Sequence, residues 1–310
     1  MKYVEFINSL IKEKVENQSE IILFGQNIDA GSSLSGLTRG LSLKNNSLII
    51  NTQNSENLLV GVGFGMMLNN VSSVFFMKQL DFLLLGIDHL VNTYNIIRQS
   101  NPKASFTIFP VTVDSGYEGP QSSLNNLDDF SSIAGVEGYT FTNAYDTKKI
   151  ISNKLLKPGF RILTTGQRLL RQDVIEIEAI KIGPDHDYFQ YNEGGDVTIV
   201  CFNQTFDYGI EMHDQMLKKN IHSSLFTVNS HLKSNYKLII DDIKYSKRLI
   251  ILDDSKSRNK LSDFFLKEVL RECSLKTYKM LVRDNLNINF SPSKDNLEID
   301  YLSVIDEIFK

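Results

Sequence analysis

The 310-residue sequence predicts an α/β protein with two domains. Short apolar segments alternate with amphipathic segments twice along the chain. Strands that alternate with helices are typical of a parallel sheet covered by helices on both faces. A polar stretch containing glycine and proline, residues 183–195, separates the two alternations and is typical of a domain boundary. The length agrees with this division, since one domain usually holds roughly 100–200 residues.

The first half contains the elements of one such domain. Apolar segments predict buried strands at residues 21–24, 47–50, 73–77 and 106–109. Helical patterns cover residues 4–15, 57–68 and 82–97. In the last of these, side chains three or four positions apart predict one helical face, formed by Phe82, Leu85, His89, Asn92 and Ile96. We expect this first domain to span residues 1–185.

The second half repeats the alternation after a linker that we expect at residues 186–195. Strands are predicted at residues 197–202, 224–228, 248–252 and 279–282. Helices are predicted at residues 206–218, 261–273 and 300–309. The second domain is therefore expected to span residues 196–310.

Composition narrows the classes of function. The chain has 33 basic and 37 acidic side chains, a net charge of −4, which argues against a nucleic-acid binder. It lacks an uncharged apolar run long enough for a membrane helix, and Glu5 comes too early for a signal peptide. Cys201 and Cys273 are too few for a disulfide framework. We therefore expect a cytoplasmic protein without nucleic-acid or membrane partners.

Several short motifs resemble functional sequences but lack an essential part. The Gly-x-Gly-x-Gly run at residues 61–65 lies inside a helical pattern, so close helix packing explains it better than dinucleotide binding. The acidic strand end at 249–254 has no phosphate-binding loop to accompany it. Residues 185–187, Asp-His-Asp, lack a second ligand pair for a metal. Residues 31–36 have the wrong glycine spacing for a nucleophile elbow. No metal-ligand set is predicted.

Glu56 lies where a strand ends and a helix begins. A carboxylate in the first turn of a helix is stabilised by the helix dipole, and this would explain an isolated Glu56. Phe82, at the start of a later helical pattern, would in isolation be a core residue. The surrounding sequence suggests functional roles for both residues.

Five stretches carry a family resemblance. They are residues 22–27; 37–41, similar to Ser/Thr-Arg/Lys-Gly-Leu; 52–61, similar to Thr-Pro-Ile-x-Glu-x-x-x-x-Gly; 81–92, similar to Asp/Asn-Phe … Asp-Gln-Ile-Val-Asn; and 119–123, similar to Gly-Pro-Gln-His-Ser. Together they resemble the beta subunit of the thiamine-diphosphate-dependent decarboxylase component of 2-oxoacid dehydrogenases (pyruvate dehydrogenase beta-like), in the transketolase superfamily. From Asp196 onward, the chain resembles the C-terminal domain of that family.

The resemblance implies roles for Glu56 and Phe82. It makes residues 1–185 a pyrimidine-binding domain and residues 196–310 a transketolase C-terminal-like domain. Glu56 matches the glutamate that hydrogen-bonds the pyrimidine ring of thiamine diphosphate and favours its imino tautomer, which removes the thiazolium proton. Phe82 matches the aromatic residue that stacks on that ring.

Two positions depart from the family pattern on the substrate side. Gln26 stands where the family has glutamate after the first strand, and Ser122 stands where it has histidine. An amide is neither an acid nor a base at neutral pH, and a serine hydroxyl is a poor one. The resemblance therefore implies an intact cofactor side and an altered substrate side. A standard 2-oxoacid dehydrogenase subunit is not expected.

A motif that binds the diphosphate and Mg²⁺ in this superfamily, Gly-Asp-Gly … Asn, does not occur in the sequence. The resemblance therefore implies half an active site, completed by an alpha-type subunit that carries this motif and binds most of the Mg²⁺. Two such pairs would form a two-fold heterotetramer (α₂β₂).

The expected function is activation of thiamine diphosphate for decarboxylation or C–C cleavage of a 2-oxo acid or ketose, followed by acyl or ketol transfer. One alternative is the C-terminal half of a split transketolase acting on sugar phosphates. Residues 111–115 are similar to a transketolase Thr-His-Asp-Ser run, although Val113 replaces its histidine. A second alternative is a non-catalytic scaffold that retains the fold.

Overall fold

The computed structural model describes residues 1–44, 46–116, 118–119, 124–283, 291–293 and 296–310. Its strands form two six-stranded sheets, one in each half of the chain. The predicted α/β class with two domains is confirmed. None of the helices in the described ranges is long and apolar enough to cross a bilayer.

The first sheet is entirely parallel, with strand order β2-β1-β3-β4-β6-β5. Its strands are β1 Ile21–Gly25, β2 Leu48–Asn51, β3 Ser72–Met77, β4 Ser105–Thr112, β5 Glu137–Thr140 and β6 Gly159–Gly166. All residues of β4 are buried, as expected for a central strand covered on both faces. The four strands predicted in this half are confirmed with small shifts at their ends.

Helices cover both faces of the first sheet. They are α1 Tyr3–Val15, α2 Glu56–Leu68, α3 Tyr94–Ile97, α4 Leu127–Ala134, α5 Ala144–Lys154 and α6 Gln167–Arg171. Ile7 and Ile11 of α1 join an apolar cluster on one face, and Val60 and Phe64 of α2 join a second cluster. The two clusters hold α1 and α2 against the sheet.

The helix predicted at residues 82–97 is not a regular helix. The chain forms a 3₁₀ segment at Leu80–Gly86, a π-helical turn at His89–Thr93 and only then α3. The buried positions in the first segment are Leu80, Asp81, Leu83 and Gly86. Three of them, Leu80, Leu83 and Gly86, follow the three-residue period of a 3₁₀ helix. The predicted face was wrong, since Leu85 and Ile96 are exposed.

The second sheet is mixed, with order β12-β11-β9-β10-β8-β7. Its strands are β7 Lys181–Ile182, β8 Tyr188–Asn192, β9 Val197–Phe202, β10 Ser223–Val228, β11 Arg248–Asp253 and β12 Thr277–Val282. Strand β8 pairs antiparallel with both β10 and β7. Five of the ten residues of the expected linker, 186–195, therefore form a strand of the second sheet, and residues 181–182 belong to that sheet as well.

The helices of the second half are α7 Phe206–Lys218, α8 Lys237–Ser246, α9 Leu261–Glu272 and α10 Tyr301–Phe309. The sequence predicted α7, α9 and α10 but not α8. The predicted α9 is one residue longer at its end than the observed helix, and the predicted α10 is one residue longer at its start. Cys201 and Cys273 are both buried and unpaired.

The residues after β10 connect the two sheets. The Asn229 carbonyl accepts a hydrogen bond from Thr140 N–H at 2.9 Å, and His231 N–H donates to the Gly138 carbonyl at 2.8 Å. The Asn229 side chain also donates to the Thr140 carbonyl at 2.8 Å. The His231 ring lies 2.5 Å from Asp128 Oδ1. This segment therefore covers the outer edge of β5 with backbone and side-chain hydrogen bonds.

Candidate functional site

The carboxyl ends of the first-sheet strands gather three of the four site residues predicted from sequence. Gln26 directly follows β1, Glu56 begins α2 shortly after β2, and Phe82 follows β3. Since these strands are parallel and adjacent, all three residues lie along one edge of the sheet. Open parallel sheets bind ligands at this edge. The fourth residue, Ser122, lies outside the described residues.

Glu56 is half-buried at the first position of α2. Among the described residues, none forms a hydrogen bond or an ion pair with its carboxylate, so the group is available to a ligand. The buried hydroxyl of Thr52, four residues earlier, also lacks a partner in the described part of the chain. Two polar side chains of the same motif thus have no protein partner within the described ranges.

Close packing positions α2 against the segment that carries Phe82. A Cβ on Gly86 would lie 2.8 Å from Val60 Cγ2 and 3.7 Å from the Glu56 carbonyl oxygen. The Asn57 side chain donates a hydrogen bond to the Leu85 carbonyl at 3.2 Å. The first turn of α2 is therefore fixed directly against residues 80–86.

Close packing also explains two of the three glycines in the Gly-x-Gly-x-Gly run, Gly61 and Gly63. A Cβ on Gly61 would lie 2.9 Å from His89 Nε2, and a Cβ on Gly63 would lie 2.1 Å from the Phe106 ring. Only residues without a side chain allow such close approach. The interpretation of these two glycines as packing positions is confirmed.

Phe82 is half-buried and packs against the apolar cluster beneath α2. Its neighbour Asp81 is buried and accepts a hydrogen bond from Leu124 N–H at 2.9 Å. Asp81 thereby connects the Phe82 segment to Leu124, at the start of the described range 124–283.

A pocket of about 520 Å³ lies along the same edge. Gln26 forms part of its wall, together with residues that sequence reasoning did not select: Lys2, Lys78, Gln79, Gln167 and Arg171. Lys78 directly follows β3, and Gln167 directly follows β6. Their position after strands was a signal available in the sequence, but no motif drew attention to it.

A buried carboxylate lies behind the pocket. Asp114 Oδ1 accepts a hydrogen bond from Arg168 N–H at 2.9 Å, and Ser115 Oγ donates to Gln167 Oε1 at 3.0 Å. The Arg168 guanidinium lies 3.6 Å from Asp114 and pairs with Asp207 of α7 in the second domain. Burial raises the pKa of Asp114 to about 6, although Arg168 opposes the rise.

Curated relatives match most of the chain. The beta subunit of acetoin:2,6-dichlorophenolindophenol oxidoreductase from Cupriavidus necator is 19% identical over 94% of this chain and 91% of its own length. The 2-oxoisovalerate dehydrogenase beta subunit of Bacillus subtilis is 20% identical over 85% and 82%. The beta subunit of the pyruvate dehydrogenase E1 component from Acholeplasma laidlawii is 23% identical over 64% and 62%.

These relatives confirm the resemblance to 2-oxoacid dehydrogenase beta subunits.

Comparison with solved structures shows that this chain has the transketolase fold. A split-gene transketolase, described as an inactive beta4 tetramer, has a TM-score of 0.67 at 14% identity, covering 91% of this chain and 88% of that one. Transketolase from Campylobacter jejuni also has a TM-score of 0.67, at 10% identity, and this beta-like chain spans only 43% of it. No family model matches the sequence.

Proposed function

We propose that this chain is the pyrimidine-binding, beta-type subunit of a two-subunit thiamine-diphosphate enzyme. The enzyme would decarboxylate or cleave a C–C bond of a 2-oxo acid or ketose and transfer the resulting acyl or ketol unit. The observation that carries the proposal is the placement of Glu56 and Phe82 on one sheet edge, with the Glu56 carboxylate unpaired among the described residues. The sequence similarity to 2-oxoacid dehydrogenase beta subunits supports it.

The residues present fit the pyrimidine half of the cofactor. Glu56 offers a carboxylic acid, Phe82 an aromatic face and Thr52 a buried hydroxyl without a partner in the described ranges. When bound, thiamine diphosphate supplies a carbon nucleophile for the donor carbonyl.

Each residue has a separate task. Glu56 would share a proton with a ring nitrogen, and its half-buried position limits competition by water. Phe82 would fix the ring plane with little entropic cost, because the packing behind Phe82 already orders it. The contact between Gly86 and Val60 would hold the two residues at a constant spacing.

The partner would be an alpha-type subunit that carries Gly-Asp-Gly … Asn and binds the diphosphate and most of the Mg²⁺. A surface on this chain suits such assembly: Leu58 and Val62 of α2 are 61% and 42% exposed, and the adjacent Leu84 and Leu85 are 49% and 60% exposed. Contiguous exposed apolar side chains mark protein interfaces. Two pairs would form a two-fold heterotetramer in the cytoplasm, where unpaired cysteines persist.

The substrate differs from that of a standard 2-oxoacid dehydrogenase in this proposal. The support is Gln26, which presents an amide to the pocket where the family has glutamate. Ser122 is a second replacement in the sequence. A split transketolase acting on sugar phosphates is the competing proposal, and a donor panel containing ketose phosphates and 2-oxo acids separates the two.

The decisive experiment is Glu56→Gln in the co-expressed complex. Turnover should fall by a factor of about 10²–10⁴, as for loss of a proton-transfer group, while assembly is retained. Asp263→Asn is the matched control, since Asp263 is an exposed acid in the first turn of α9 and should leave turnover unchanged. Near-normal turnover of Glu56→Gln would show that Glu56 has no role in catalysis and only stabilises the first turn of α2. A wild-type complex inactive with every donor would favour a scaffold.

A further inference from the structure

We propose that the pocket beside Gln26 is a subsite for a negatively charged group of the substrate, remote from its reacting carbonyl. This basic pocket is defined by Lys2, Gln26, Lys78, Gln167 and Arg171. The proposal rests on the proposed function and adds the substrate class. That class is donors or acceptors with a second anionic group, either a carboxylate or a phosphoryl group.

All charged side chains among the described residues that line the basic pocket are positive. Lys2, Lys78 and Arg171 contribute cations, and none of the described residues that line the pocket is Asp or Glu. Lys2 is neutralised by Asp173, which lies 3.1 Å away. Within the described residues, Lys78 and Arg171 have no ion-pair partner. Two positive side chains without an ion-pair partner in the described part of the chain therefore line the same cavity and favour an anion.

The polar lining suits an anion as well. Gln26, Asn27 and Gln79 bring amide N–H groups to the wall, and Ser32 and Ser35 bring hydroxyls. Such groups donate hydrogen bonds to carboxylate or phosphoryl oxygens. A cavity of about 520 Å³ is within the size range of small-molecule sites.

An anionic occupant would explain why position 26 is glutamine where the family has glutamate. A glutamate there would place a negative charge in the wall of the basic pocket and offset the charge of Lys78 or Arg171. Gln26 keeps nearly the same shape without the charge. The replacement is therefore the one expected if the occupant is an anion.

The position of the pocket assigns the anion to a remote part of the substrate. Glu56 and Phe82 lie on the same sheet edge but do not line the pocket. The cofactor ring and the anionic group thus occupy different places along one edge. A substrate that spans both would carry its reacting carbonyl at one end and its charge at the other.

The first test is calorimetry of the full chain with inorganic phosphate and, separately, with succinate. We expect saturable binding of at least one probe, weakened about tenfold by Lys78→Met and by Arg171→Met. Lys103→Met is the matched control, because exposed Lys103 precedes β4 at the opposite edge of the same sheet. The better probe identifies the anion as phosphoryl or carboxylate. Absent binding, or equal weakening by Lys103→Met, would overturn the proposal.

The second test uses the active complex and separates this inference from the proposed function. Lys78→Met should raise KM about tenfold for a donor with a second anionic group and leave kcat unchanged. It should leave KM for pyruvate unchanged, since pyruvate has no such group. A complex that turns over donors but shows equal KM values for wild type and Lys78→Met overturns the subsite alone. A complex without turnover, combined with Lys78-dependent anion binding, overturns the enzyme proposal alone.

Discussion

Replacing Gly86 by alanine is expected to disturb the spacing between Glu56 and Phe82. The new methyl group would lie 2.8 Å from Val60 Cγ2, closer than carbon atoms approach without repulsion. Val60 is fully buried, so it has little room to move. The helix that begins at Glu56 must therefore shift away from the segment that carries Phe82.

The expected cost follows from overpacking in a dense core. One added methyl group typically lowers the free energy of unfolding by about 1–3 kcal/mol. Val60→Ala alone should cost about 2 kcal/mol, since it removes two buried methyl groups. In the double variant the small residue makes room for the new methyl group. Its loss should be smaller than the sum of the two single losses by about 1–2 kcal/mol.

Urea unfolding of the wild type, the two single variants and the double variant measures the coupling between positions 60 and 86. Gly65→Ala provides the control. A Cβ on Gly65 meets nothing within 4 Å, so this change should stabilise α2 by about 0.5–1 kcal/mol. In the complex, Gly86→Ala should lower turnover by a factor on the order of 10, because catalytic groups tolerate little displacement. Additive losses in the double variant, or wild-type stability of Gly86→Ala, would refute the packing argument.

Three further outcomes are expected. Burial raises the pKa of Asp114 from 3.8 to about 6. Between these two pH values, the folded chain keeps the Asp114 proton that the unfolded chain has released. Stability should fall by up to about 3 kcal/mol as pH rises from about 4 to 6, and urea unfolding of Asp114→Asn should show a smaller fall. The isolated chain should bind thiamine diphosphate with Mg²⁺ weakly or not at all by calorimetry, and micromolar binding would contradict a split site. Gln26→Glu combined with Ser122→His should lower native carbon dioxide release or ketol formation, whereas wild-type turnover of pyruvate at ordinary dehydrogenase rates would contradict an altered substrate side.

The sequence predicted the strands of the first sheet up to β4 because continuous apolar runs bounded by polar residues leave few alternatives. It missed β5, which has only four residues and includes Gly138. It also missed α5, whose start depends on Asn143 capping the helix through bonds to Tyr145 and Asp146 N–H. Short or polar elements are defined by tertiary contacts and capping geometry rather than by apolar periodicity.

The segment at residues 80–97 shows a different limit. Spacing of three and four residues fits both α and 3₁₀ periods over a short run, and the choice depends on the partner. Here the Gly86 contact with Val60 and the His89 contact with Gly61 require close approach to α2. Glu56 and Phe82 were predicted from motif resemblance. Lys78 and Arg171 belong to no recognised motif, and only their position in the pocket wall identifies them as candidates.

The cover over β5 has a consequence during synthesis. Thr140 and Asn229 are 89 residues apart in the chain, yet they are direct hydrogen-bond partners. At ribosomal speeds of roughly 5–20 residues per second, the edge of β5 stays open for about 4–18 s before its cover emerges. An open strand edge can pair with another nascent chain. We therefore expect the N-terminal half to need protection by chaperones until the turn after β10 has left the ribosome.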